Sequence, residues 1–107
     1  MTALTEINLS DFQASAGKAA ALLRALASER RLMILCQLDG SEMSVGALAP
    51  RVGLSQSALS QHLAVLREEG VVATRREGQT IWYRIAHPAA VKLIATLAEI
   101  YCPQPKA

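Results

Sequence analysis

The chain has 107 residues, 51% of them apolar, and a formal net charge of +2; this is one domain's worth of sequence, short enough that a partner subunit would help cover its apolar surface. Phe12, Trp82, Tyr83 and Tyr101 are its only aromatics, so the core has to come from Leu, Ala, Val and Ile, which points to a mainly helical protein. No run reaches the ~18 apolar residues of a membrane span and Met1 to Glu6 lack a leader pattern, so a cytoplasmic protein without a permanent structural disulfide is expected.

Ser10-Asp11-Phe12-Gln13 fits a capping box and predicts a first helix from Ser10 to about Ala27. Its Ala-rich middle (Ala16, Ala19, Ala20, Ala21) would allow another helix to approach closely, and we read it as a dimer contact. Ser28 caps a second helix carrying Leu32, Ile34, Leu35, Cys36 and Leu38 as far as Asp39-Gly40. Ser44 caps a third, Val45 to Val52, which Pro50 should keep short or distort. Gly53 then supplies a tight turn.

Ser55 caps a fourth helix that runs to Glu69 and stops at Gly70. At 100° per residue Leu59, Leu63 and Leu66 share one side, while Gln56, Ser57, Ser60, Gln61, Ala64 and Arg67 share an arc of roughly 140° on the other. Val71–Arg75 and Thr80–Ile85 are β-branched or aromatic runs joined at Arg76–Gln79, which predicts a small antiparallel hairpin. Pro88 starts a last helix with apolar positions Val91, Leu93, Ile94, Leu97, Ala98 and Tyr101, and Pro103 ends it.

The order α-α-α-α-β-β-α, with a Gly turn before the fourth helix and a hairpin after it, is that of a winged helix-turn-helix filling residues 1–107 as one domain: helix-turn-helix at 44–69, wing at 71–86. The second helix of such a pair presents hydrogen-bonding side chains to base edges. Gln56 and Gln61 suit adenine, and Ser57 and Ser60 suit a base or phosphate. Arg67, Arg75, Arg76 and Gln79 suit phosphates or a wing tip in the minor groove. Residues 44–86 are the basic part of the chain, with five Lys/Arg against three acids, although on charge alone a solvated surface with a little excess Arg is the better reading. A merely solvated helix face would carry Lys/Glu pairs, and Gln56 to Ala64 has none.

Three stretches, LASERRLMILCQL, SVGALAPRVGLSQSALSQHLAVLREEGVV and TRREGQTIWYRI, make the sequence resemble the ArsR-type repressors from about Ala19 to Tyr101. The resemblance implies a homodimer through the first and last helices (10–27 and 88–102), Gln56, Ser57, Ser60 and Gln61 facing the major groove of double-stranded operator DNA, and repression relieved by an inducer. One metal site of such proteins falls here on Ser44 and Gly46, which cannot bind a soft metal. A second would need more than His87 and Glu99. His87 reads instead as a cap or surface residue and His62 as packing. No metal or cofactor is therefore expected.

Cys36 and Cys102 match the cysteine pair of the persulfide- and redox-sensing branch, in which the two thiols of one subunit become linked, directly or through extra sulfur, and DNA affinity falls. Local sequence works against reactivity: the apolar helix around Cys36 and the helix C-terminus at Cys102 both disfavour a thiolate, so a neighbouring Arg or backbone amide has to compensate. Taken as plain residues, the two read first as a small buried hydrophobe and an incidental terminal side chain, and only the family match reverses that order. Two other functions fit the same chain: the same dimer induced by a metal or small molecule, and a winged helix serving as a protein-interaction module or antirepressor. An enzyme is not expected, since there is no phosphate-binding Gly-rich loop and Glu68 and Glu69 point to different sides of one helix.

Overall fold

A computed structural model describes residues 8–102; the expected stop at Pro103, the leader reading of Met1–Glu6 and both ends of the 1–107 domain lie outside them. The elements are α1 (Leu9–Leu26), α2 (Glu29–Leu38), β1 (Met43–Ser44), α3 (Val45–Val52), α4 (Gln56–Glu68), β2 (Val72–Glu77), β3 (Thr80–Ile85) and α5 (Pro88–Tyr101). The winged helix-turn-helix is present as expected, with one strand more than the sequence suggested.

That strand is β1, which pairs antiparallel with β3 through Met43 and Tyr83 and through Ser44 and Trp82, so the wing is a three-stranded sheet of order β1-β3-β2. Two residues carry no alternation of their own, and β3 defines them as a strand. The β2–β3 ladder extends to Glu77 opposite Thr80. Arg76 and Glu77, placed in the turn by sequence, are thus strand residues, and Gly78-Gln79 alone makes the turn. Gly78 has φ +62°, which suits the first position of a two-residue hairpin loop.

The capping pattern of the middle of the chain is as read. The hydroxyls of Ser28, Ser44 and Ser55 accept from the amides of Arg31, Ala47 and Ala58 at 3.3, 3.2 and 3.1 Å. Gly53, left-handed at φ +67°, ends α3 and lets the chain turn into α4. Pro50 is accommodated in the eight-residue α3. The first cap differs: Asn8 Oδ1, not Ser10, accepts from Asp11 N at 3.2 Å, and Ser10 lies inside the helix. Asn and Ser are equivalent cap acceptors, and the earlier one brings Leu9 into the first turn.

A single apolar core joins the elements. Ile34, Leu35 and Leu38 of α2, Leu48 of α3, Leu59, Leu63 and Leu66 of α4, and Ile94 of α5 are all at most 1% exposed. Each such side chain contributes about 1.5–3 kcal/mol of burial. Truncating a central one, as in Leu63→Ala, is expected to cost roughly 2–5 kcal/mol in chemical denaturation. Arg31 fastens α1 to this body, its guanidinium donating to the Ala25 and Arg24 carbonyls at 2.6 and 3.2 Å. Beyond that junction much of α1 is only partly covered. Ala25 and Leu26 are its buried residues, whereas Leu9, Phe12 and Leu23 are 67, 52 and 56% exposed.

Candidate nucleic-acid interface and thiol pair

The three buried leucines of α4 fix the helix on the core and turn its polar side outward, where Gln56, Ser57, Ser60, Gln61 and Arg67 are all exposed. The wing folds back beside that helix and creates two open grooves. One, of about 510 Å³, brings Gln56 and Ser60 together with Gln79 of the wing turn, and is also lined by Ser44, Thr80 and Tyr83. The other, of about 430 Å³, brings Ser60 and Arg67 together, again beside Tyr83. Ser57 and Gln61 line neither groove and stand on the free side of the helix.

Tyr83, Ser44 and Thr80 were not anticipated. No local signal marks them, because their place depends on how the wing registers against α4. The sheet alternation puts Tyr83 on the face that also holds Thr74 and Arg76, and Arg75, opposite Trp82, on the other face.

Arg75 is held by neighbouring side chains of its own chain. Its Nε donates to both carboxylate oxygens of Glu42, at 2.8 and 2.9 Å, and its Nη1 to Glu77 at 3.0 Å. Its guanidinium carbon lies 5.5 Å from the centroid of the Trp82 ring. Donating hydrogen bonds to Glu42, then to Glu77, pushes the guanidinium pKa further above its ordinary value. The cluster braces the base of the wing against the α2–β1 connection. No local sequence signal marks Glu42 for this contact. Arg76, by contrast, makes a single bond, from Nε to the Gly78 carbonyl at 3.2 Å, at the wing tip.

The two thiols lie on α2 and α5 and line neither of these grooves. Cys36, in the last turn of α2, and Cys102, at the C-cap of α5, are both exposed and free. They line one cavity of about 230 Å³ whose other walls are Leu32, Ile94, Leu97, Ala98 and Tyr101. The structure thus brings together two cysteines far apart in sequence, and it removes the reading of Cys36 as a core residue. Packing against the apolar walls pushes the Cys36 thiol pKa up, with smaller upward contributions from Cys102 and Asp39. The compensating group looked for in the sequence is not found among the described residues. No Lys or Arg lines the cavity, and the Cys102 backbone N–H is taken by the Ala98 carbonyl at 2.7 Å.

Among the described residues no group of three or more His, Cys, Asp or Glu side chains is placed to hold a metal ion. His87 caps α5, its Nδ1 accepting from Ala89 N at 3.1 Å, as its position before Pro88 suggested. No described helix is long and apolar enough to cross a membrane.

Residues 28–74 match the sequence profile of the bacterial regulatory proteins of the arsR family. The chain is 49% identical over 96 residues to the transcriptional activator HlyU of Vibrio cholerae, covering 90% of this chain and 89% of that protein. It is also similar to the solved structure of the transcriptional repressor BigR from Xylella fastidiosa, with TM-score 0.82, 41% identity and coverage of 92% of this chain and all of that one. A homodimeric winged helix-turn-helix DNA-binding domain from Mycobacterium bovis aligns with TM-score 0.74 and 35% identity over 84% of each chain. With the family profile lying on the helix-turn-helix and near-full-length relatives among transcription regulators, the chain belongs to the arsR family, as a winged helix-turn-helix transcription regulator and not an enzyme.

Proposed function

We propose that the protein is a homodimeric repressor that binds operator DNA in the cytoplasm through α4 and the wing, and leaves it when Cys36 and Cys102 are oxidised by persulfide, other sulfane sulfur or a related oxidant. The observation that carries the sensing half is the shared cavity: two free, accessible thiols at the ends of α2 and α5. A lone thiol can only be capped, whereas a pair can close a bridge.

The step balances without a cofactor. One thiolate attacks the terminal sulfur of the persulfide RSSH and displaces the thiol RSH; the second thiol then attacks the first cysteine sulfur and displaces hydrogen sulfide. In sum, two protein thiols and RSSH give the protein disulfide, RSH and hydrogen sulfide; the cysteine sulfurs are oxidised and the sulfane sulfur is reduced. Because α5 also carries part of the bare apolar surface, a bridge to α2 would shift the dimer and with it the spacing of the two α4 helices.

Dimerisation is supported by that surface. An apolar groove of about 360 Å³ lined by Leu23, Leu26, Leu32, Leu93 and Leu97 lies between α1, α2 and α5, beside the exposed Leu23. Exposed apolar patches of this kind mark association surfaces, and the Mycobacterium bovis domain is described as homodimeric. Repression, rather than the activation named for HlyU, follows the likeness to BigR and is read directly from a reporter fused to the target promoter.

The test is DNA binding by reduced and persulfide-treated protein, followed on the promoter fragment it occupies. Treated protein should lose affinity and lose the mass of two hydrogens, with or without added sulfur, while C36S and C102S variants should keep their affinity. Undiminished binding by fully bridged protein overturns the proposal.

Phosphate contacts are separable by salt. Arg67→Gln is expected to lower the slope of log affinity against log salt by ~0.9 per subunit. Arg75→Gln, already committed to Glu42 and Glu77, should leave that slope unchanged. Equal losses of slope would return Arg75 to the DNA surface.

A further inference from the structure

The cavity that holds the thiols has an electrostatic character that bears on which molecules reach them. Cys36 lies in the last turn of α2 and Cys102 caps α5, so both thiols stand close to the C-terminal end of a helix. Each end carries a partial negative charge. Neither helix has a basic residue in its last turn to offset it, and the Asp39 carboxylate follows α2 directly and acts on Cys36. The remaining walls are hydrocarbon and the Tyr101 ring. Such a site offers an anion no counter-charge and disfavours its approach through repulsion.

We propose that the Cys36–Cys102 cavity admits small uncharged sulfane-sulfur species, of the class of dialkyl trisulfides and fully protonated alkyl persulfides, and discriminates against anionic persulfides that carry carboxylates. This deepens the sensing reading above and rests on it. The chemistry is the same two-thiol closure: with a dialkyl trisulfide RSSSR the protein disulfide forms, and one RSH and one RSSH leave. Selectivity is set before the first bond forms, at entry.

Charge is tested apart from sulfur chemistry with two reagents of one mechanism, neutral methyl methanethiosulfonate and anionic 2-sulfonatoethyl methanethiosulfonate. In both, the thiolate forms a mixed disulfide and methanesulfinate departs. Rates of Cys36 modification in the reduced full-length protein are followed by peptide mass mapping and divided by the rates for free N-acetylcysteine. The normalised neutral-to-anionic ratio is expected to be about tenfold, as helix-end dipoles and one nearby carboxylate would give. Asp39→Lys, a change at an exposed C-cap, should reduce the ratio severalfold while the neutral rate stays within about a factor of two.

A normalised ratio near one in the native protein overturns the proposal, as does a ratio that Asp39→Lys leaves unchanged. The sensing reading fails separately, when bridged protein still binds DNA whatever the charge of the reagent that reached it.

Discussion

Replacing Gln56 and Gln61 together with alanine is expected to weaken binding to the specific operator by roughly 10²–10⁴-fold per half-site, since each bidentate Gln–adenine contact discriminates by about 1–3 kcal/mol. Affinity for unrelated DNA and the salt slope should stay nearly constant, because neither side chain carries charge. Both residues are exposed, so thermal stability should move by no more than about 0.5 kcal/mol. Fluorescence anisotropy with operator and scrambled duplexes separates these readouts. Gln56 opens α4 and shares a groove with Gln79, whereas Gln61 stands on the free side of the helix, so the single variants should relax specificity at different base pairs. A parallel loss on both duplexes would mean that this face positions the protein and does not read sequence.

What could be read from sequence here was whatever a segment encodes within itself. The Ser28, Ser44 and Ser55 caps, the Gly53 turn and the Leu59/Leu63/Leu66 stripe are contained in a few consecutive residues, and the structure reproduces them. Features that need a distant partner were out of reach. β1 exists because β3 pairs with it, Tyr83 reaches the α4 groove because the wing folds back, and Arg75 is occupied because Glu42 arrives from a connection 33 positions away. The cysteine pair is intermediate. Its residues were named through resemblance to known repressors, but only the packing of α5 on α2 puts both in one cavity. Local sequence did anticipate the raised pKa of Cys36, because an apolar helix end is itself a local feature.

The dimer can be tested through the two sides of α1, which have different surroundings. Leu22, Ala25 and Leu26 face the chain's own core. At 100° per residue Leu9, Phe12, Ala16, Ala20 and Leu23 fall within an arc of about 80° on another side. Three of these are large and exposed, and the two alanines, one turn apart, would let a second helix come close. Leu23→Glu sets a charge in that stripe beside the apolar groove and is expected to shift the protein to monomer in sedimentation measurements, with helical circular dichroism retained because the core from Ile34 to Ile94 is untouched. Operator affinity should then drop by roughly 10²–10⁴-fold, the avidity lost when two reading helices are no longer joined. Lys18→Glu makes a larger change of charge on the opposite side of the same helix and should remain dimeric. If both variants stay dimeric, α1 is not the seam and α5 must carry association alone; if both dissociate, charge and not the apolar stripe governs assembly.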